Sequence, residues 1–299
     1  MPWVESLPDL LLRPMVEAAL REDLGDAGDI TSALLPPDLT TTADIVSREA
    51  GICCGLDLAR LSFAAFDPKT QFTPLCRDGE QIVAGSSLAQ VSGKAVALLT
   101  AERVALNFMS HLSGIATATA QMNEAIRSTP NGEGVRLTCT RKTLPGLRLV
   151  EKYALRCGGG FNHRFGLYDA VLLKDNHLAM LHSPAQAVAR ARQRVGHLVK
   201  IEIEVDDLSQ LAEILKGEFL PDAVLLDNMS IDQLLQAVAM RNGAGCLNLI
   251  LEASGGVSLT TVAEIAATGI DVISAGSLTH SSRALDIGLD FTRGERCGV

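Results

Sequence analysis

Residues 199–227, VKIEIEVDDLSQLAEILKGEFLPDAVLLD, read as strand, helix, strand. The β-branched run Val199–Val205 gives way to a helical stretch at Leu208–Leu215, and a second apolar run, Ala223–Leu226, follows. Two strands joined through a helix run parallel. The same alternation extends on both sides: strands are predicted at Val135–Thr138, Ala170–Leu173, Leu247–Ala253 and Ile270–Ser274, and helices near Leu147–Cys157, Pro184–Val195, Ile231–Arg241 and Thr260–Ala267. Ser183 before Pro184 reads as an N-cap followed by an N1 proline, and Ser230 with Gln233 reads as a capping box. From residue 135 onward the chain therefore reads as an α/β barrel.

The residues at the carboxyl ends of these strands carry chemistry. They are Arg141 and Lys142, Lys174, Glu204, Asp227, Ser254-Gly255-Gly256 and Ser274-Ala275-Gly276. In a closed parallel barrel such ends converge on one mouth, where catalytic groups gather. Glu202, two residues before Glu204, points to the same side and is a rival or partner to it.

The first 115 residues differ. Turn signals at Pro36-Pro37, Asp67-Pro68 and Asp78-Gly79 separate short alternating runs such as Ala43–Arg48 and Leu88–Val91, which predicts a small antiparallel sheet with flanking helices. A long helical run, Ala95 to Arg127, joins the two parts, with a break expected at Ser113-Gly114.

Charge distribution narrows the function. The stretch from Arg141 to Lys174 holds seven of the 26 Lys and Arg and only two of the 35 acids, in a chain of formal net charge −9. The rest of the chain then carries 19 bases against 33 acids, which disfavours a nucleic-acid surface and favours a focused trap for a small polyanion. No apolar run approaches the roughly 18 residues that span a bilayer. The start, MPWVESLPDLLLRP, carries Glu5 and Asp9 where a secretion signal would place Lys or Arg, so the protein is expected to stay in the cytoplasm. The seven cysteines are odd in number and form no metal-binding spacing, which reads as reduced thiols.

Arg141, Lys142, Arg164 and Lys174 form a mixed cationic set. Arginine meets a carboxylate with a planar fork and lysine supplies a mobile point charge, so the set suits a ligand with more than one anionic group; structural ion pairing is the plainer reading of any single member. His163 can donate to the same ligand or serve structure. Glu204 and Asp227 can bind sugar hydroxyls or, through water, a magnesium ion. The glycine turns at 254–256 and 274–276 can admit a phosphate oxyanion to the backbone.

These residues, in this order, resemble the quinolinate phosphoribosyltransferase family. The resemblance runs nearly the whole chain: ALREDLG and GDITS near Leu20–Ser32, LLTAERVALNFMSHLSGIAT at Leu98–Thr117, TRKTLPGLR at Thr140–Arg148, KYALRCGGGFNHRFGLYDAVLLKDNH at Lys152–His177, EIEV at Glu202–Val205, LLDNM at Leu225–Met229, EASGG at Glu252–Gly256 and ISAGSLTHS at Ile273–Ser281. It implies an N-terminal open-faced α/β sandwich domain, residues 1–115 joined by the returning C-terminus at about 277–299, and an incomplete α/β barrel at 116–276. It also implies a homodimer, compatible with a hexamer, in which Arg103 is donated across the interface. By the same correspondence Arg141, His163, Arg164 and Lys174 would hold quinolinate, with Thr143 beside them, and Lys142 would face the reacting groups. Glu204 and Asp227 would bind ribose and Mg2+, while Ser254, Gly255, Gly256, Ser274, Ala275 and Gly276 would take phosphate. The implied reaction joins quinolinate to 5-phosphoribosyl-1-pyrophosphate with loss of pyrophosphate and carbon dioxide, needs no organic cofactor, and involves neither nucleic acid nor membrane.

The chain departs from the family pattern at Cys139, where DTRKT is common, and at Ser274-Ala275-Gly276-Ser277, where SVGA is common. Two rivals stay open at this point. One is a paralogous phosphoribosyltransferase of the molybdate-transport-associated type acting on another base, and the other is a catalytically silent barrel that senses phosphorylated metabolites.

Overall fold

The computed structural model describes residues 5–181 and 183–291. It divides into two compact units. The first holds the chain up to Ala120, Leu144–Gly159 and the described residues from Ser282 on; the second holds Gln121–Thr143 and Gly160–Ser281. No helix among the described residues is long and apolar enough to cross a membrane, and no disulfide links the six described cysteines. The expected return of the C-terminus is described as far as residue 291; residues 292–299, with Cys297, lie outside the described residues.

In the first unit, strands β1 (Thr40–Ser47), β3 (Gln71–Pro74), β5 (Ser87–Lys94) and β12 (Ile287–Phe291) form an antiparallel sheet in the order β12-β1-β5-β3. A small ribbon pairs β2 (Gly51–Ile52) with β4 (Gln81–Ile82). Alternation decides the faces: Ala43, Ile45, Leu88 and Val91 join a core with Phe63 of helix α2 (Leu56–Phe66) and Leu98 and Met109 of α3 (Ala95–Arg127). On the same sheet, side-chain pairs Thr42–Ser92 and Asp44–Gln90 are polar, which leaves that face open. Helix α1 (Asp9–Leu24) buries Leu12, Val16 and Leu20 on one stripe.

Two expectations change here. Helix α3 runs without a break through Ser113-Gly114, its turns from Gln121 on counting with the second unit. Gly114 serves contact instead: a Cβ there would stand 2.1 Å from the carbonyl oxygen of Arg283, so only glycine admits the passing backbone. The neighbouring Ser113 hydroxyl, fully buried, accepts the Cys54 N–H at 2.9 Å. Helix α4 (Arg148–Cys157), which the alternation placed among the barrel helices, packs in the first unit. Its Val150 lines a small cavity with Leu12, Leu58 and Leu112, and its Tyr153 hydroxyl donates to Asp78 at 3.0 Å. Arg148, Lys152 and Arg156 go with it, so the cationic island of the sequence is divided between the units.

In the second unit six strands are all parallel, in the order β6-β11-β10-β9-β8-β7: β6 (Arg136–Thr138), β7 (Val171–Leu173), β8 (Ile201–Val205), β9 (Ala223–Asp227), β10 (Ile250–Ser254) and β11 (Val272–Ser274). Among the described residues no ladder joins β6 to β7, so this is the incomplete barrel. The segment after α4 runs along β6 instead, through a parallel bridge between Thr138 and Phe161. Helices α5 (Asp175–Leu181), α6 (Pro184–Arg194), α7 (Leu208–Leu215), α8 (Ile231–Gly243), α9 (Val262–Ala267) and α10 (Ser277–His280) follow strands β7 to β11. The predicted caps are present: the Ser183 hydroxyl accepts from the Gln186 N–H, and Ser230 with Gln233 forms a full capping box. Every residue of β8 is buried, and each of Ile201, Ile203 and Val205 contributes about 2 kcal/mol by leaving water. The same pleat sends Glu202 and Glu204 to the opposite face.

Candidate active site

Strand register builds the site level by level. Thr138, Ser274, Ser254 and Asp227 share one level across β6, β11, β10 and β9. Below them, Glu252 and Glu204 flank Leu225 on β10 and β8, and Glu202 lies one pleat deeper on β8. Loops then rise from the strand ends.

The loop after β6 carries Cys139, Arg141, Lys142 and Thr143. The Lys142 N–H donates to Thr140 Oγ1 at 3.0 Å, the Thr143 N–H to the Arg141 carbonyl at 3.0 Å, and the Thr279 hydroxyl to the Lys142 carbonyl at 2.7 Å. Lys142 itself is exposed, and its chain lies against Gly276, where a Cβ would stand 3.0 Å from its Cδ. Cys139 is buried, with Sγ 3.8 Å from Asn162 Oδ1. Ser277 ties two of the glycine loops together, since its hydroxyl donates to the Val257 carbonyl at 3.3 Å.

Lys174 follows β7, and its ammonium meets Glu204 Oε2. Glu204 is only 7% exposed, so this pair is a charge-assisted contact near the interior. Asp227 ends β9 and accepts the Asn228 side-chain N–H at 2.7 Å. Asn228 adopts the left-handed conformation, φ 52°, and donates its backbone N–H to the Ser254 carbonyl at 2.9 Å. Its amide oxygen occupies the place a Cβ on Gly255 would take, 2.1 Å away, and Gly255 has φ 91°. No side chain fits at 255 for both reasons.

Arg164 is held from three directions. Its backbone N–H donates to His163 Nδ1 at 2.8 Å, its Nη1 donates to the Ala170 carbonyl at 3.1 Å, and Asp169 caps the following turn through the Phe165 and Gly166 N–H groups. Burial, and after it the charge of nearby Arg141, lower its pKa. Its Nε is buried and has no acceptor among the described residues. A buried cationic donor without an acceptor, beside a second cation, is a place for an anion.

His163 stands beside two acids. Its Nε2 stands 2.9 Å from Glu202 Oε2 and 3.6 Å from Glu252 Oε2. Both ring nitrogens thus meet partners within the protein, and the ring is half-buried above two buried acids. Burial, and then the charge of Glu202, push the Glu252 carboxyl up to about 8. Glu252 carried no expectation of its own; its signal was an acid set among the apolar residues of Ile250–Ala253, in phase with Ser254.

Arg103 belongs to the first unit. It is exposed on α3 in a cleft of about 750 Å³ lined also by Glu22, Asp23, Asn107 and His111. Glu204 and Asp227 lie near the carboxyl ends of the adjacent strands β8 and β9, two carboxylates that could hold a hard cation together with substrate and water.

The model of the quinolinate phosphoribosyl transferase C-terminal domain matches residues 115–290, and that of the N-terminal domain matches residues 29–113. The chain is 42% identical over 282 residues to a nicotinate-nucleotide pyrophosphorylase [carboxylating] of Mycobacterium leprae, covering 93% of this chain and 96% of the relative. It is 39% identical over 283 residues to a probable nicotinate-nucleotide pyrophosphorylase [carboxylating] of Bacillus subtilis, covering 95% and 94%. Among solved structures, the nicotinate-nucleotide pyrophosphorylase from Francisella tularensis superposes with TM-score 0.87 at 36% identity, covering 98% of this chain and 100% of that one.

Proposed function

The chain belongs to the quinolinate phosphoribosyltransferase family, and from that premise we infer that it transfers the phosphoribosyl group of 5-phosphoribosyl-1-pyrophosphate to quinolinate, giving nicotinate mononucleotide, pyrophosphate and carbon dioxide in NAD biosynthesis. The observation that carries the reading is the buried Arg164 Nε, an N–H with no acceptor beside Arg141. Arg141, Arg164 and Lys174 hold the two carboxylates of quinolinate, with Thr143 at their side. A dicarboxylate satisfies such a set better than a neutral base would, which disfavours a paralogue acting on another base. Ser254 to Gly256 and Ser274 to Gly276 receive phosphate through backbone N–H groups.

The ring nitrogen attacks the anomeric carbon as the bond to pyrophosphate oxygen breaks. Positive charge spreads over the sugar at that moment, and the carboxylates of Glu204 and Asp227 oppose it. Lys142, exposed beside Gly276, meets the departing pyrophosphate, while the Lys174–Glu204 contact orients both groups between acceptor and sugar. Glu204 and Asp227 would hold a magnesium ion, which would supply charge neutralisation for the phosphates. Once the nitrogen is quaternary, the bond from C2 to its carboxylate breaks, the pair stays on C2 beside the cationic nitrogen, and a proton replaces carbon dioxide.

The protein works in the cytoplasm as a homodimer with Arg103 reaching the neighbouring site; the exposed position of Arg103 on α3 supports this. Carbon dioxide released from carboxyl-labelled quinolinate, in the presence of the phosphoribosyl donor and magnesium, tests the activity; pyrophosphate formed without labelled carbon dioxide overturns it. Mixing Arg103→Ala chains with Lys174→Ala chains restores activity if the site is shared, and heterodimers without activity overturn that part.

A further inference from the structure

Below the rim residues, the second unit sets two buried acids, Glu202 and Glu252, against the half-buried ring of His163. Glu202 on β8 and Glu252 on β10 are 8% and 4% exposed and approach one another across the intervening β9. Both reach the same atom, His163 Nε2, at 2.9 and 3.6 Å. On the other side of the ring, Nδ1 accepts the Arg164 N–H at 2.8 Å. A ring nitrogen that accepts an N–H has no proton of its own, so the proton of the neutral ring sits on Nε2 and is aimed at the carboxylates. The three groups form a chain of contacts that ends on the backbone of an arginine.

We propose that Glu202 and Glu252 are positioning residues for Arg164: they fix the ring of His163, the ring fixes the Arg164 backbone, and the guanidinium is thereby presented to the acceptor carboxylate in one pose. The inference rests on the reading that Arg164 receives quinolinate. The far end of the side chain is already tied, Nη1 to the Ala170 carbonyl at 3.1 Å, so the chain is held at both ends and the remaining donors can point in few directions. A planar fork binds a carboxylate well only when its plane is set, and a small misplacement of such a group is enough to lose much of its effect. Turning the ring over would put carbon where Nε2 and Nδ1 stand and would lose the Glu202 and Arg164 contacts together. Two acids beside one nitrogen leave the ring a single orientation.

A metal ion is the competing occupant, since the three ligand atoms lie within 4.8 Å of one another. The 2.9 Å separation of Nε2 and Glu202 Oε2 is that of a hydrogen bond, whereas two donors on a tetrahedral zinc ion stand about 3.4 Å apart.

The test is kinetic and spectroscopic on the full-length enzyme. In Glu202→Ala and in Glu252→Ala, the KM for quinolinate rises about ten- to hundredfold while the KM for the phosphoribosyl donor stays within about twofold. An equal rise in both constants, or none in either, overturns the proposal. If the alanine variants do not fold, Glu202→Gln and Glu252→Gln are read by the same ratio of constants. In protein labelled with nitrogen-15 at histidine, the His163 ring, assigned by its loss in His163→Asn, shows the Nε2-protonated neutral form with and without quinolinate. The Nδ1-protonated form, or a ring signal that moves on adding zinc alone, overturns it. Wild-type protein that consumes no quinolinate sinks the functional reading, and the ring measurement still decides the geometry.

Discussion

Each unit sets a half-buried histidine against buried acid, and the two sites are built to opposite standards. In the first unit, His111 Nε2 stands 2.9 Å from Glu151 Oε1, and Glu151 Oε2 accepts the Leu144 N–H at 3.2 Å. Glu151 is fully buried and both of its oxygens are used. In the second unit, His163 meets two buried acids, and burial with the charge of Glu202 keeps a proton on Glu252 up to about 8. The first arrangement is a saturated clamp on the turn that leads into α4. The second crowds two acids together beneath a cationic site, a cost that structures carry where function requires it. A histidine–acid contact therefore does not announce its purpose; the surroundings of the acid do.

The contrast can be broken most forcefully at Glu151. Glu151→Ala strands His111 and the Leu144 N–H together, and a loss of about 3–5 kcal/mol in denaturant unfolding is expected. A loss no larger than that of Glu252→Gln would erase the distinction. His111→Ala removes one contact and leaves the Leu144 N–H bound, so a smaller loss of about 1–3 kcal/mol is expected in the same measurement.

The mildest and most diagnostic change is Glu252→Gln. The folded pKa of about 8 lies above the ordinary 4.5, so between those values the folded state holds a proton that the unfolded chain has released. Wild-type stability should fall as pH rises from about 4.5 to about 8, and the amide variant should lose that slope. Melting temperatures across the window check it: equal slopes in both proteins would mean that Glu252 ionises as easily folded as unfolded.

Much of this was legible in the residues. Alternation and caps located every parallel strand to within a few residues, and the pleat of Ile201–Val205 predicted that Glu202 and Glu204 share a face. Three things were not legible, each because it depends on contacts distant in sequence. The stripe of α4 looks the same whichever body it packs against, so Val150 and Tyr153 gave no sign of Leu12 or Asp78. Gly114 suggested a break by propensity, while its reason was the Arg283 backbone 169 positions away. The direction of the His163 ring depends on Glu202 and Glu252, which reach it from two strands far downstream.

The pairing of β12 with β1 has a consequence for biosynthesis. Register joins Ala43–Ser47 to Ile287–Phe291, so β1 becomes an interior strand only after some 240 further residues have been made. Throughout translation of the intervening segment its outer row of amides and carbonyls is an open template for other nascent chains. Chaperone dependence and inclusion-body formation should accordingly track the completion of the last strand more closely than that of the catalytic half.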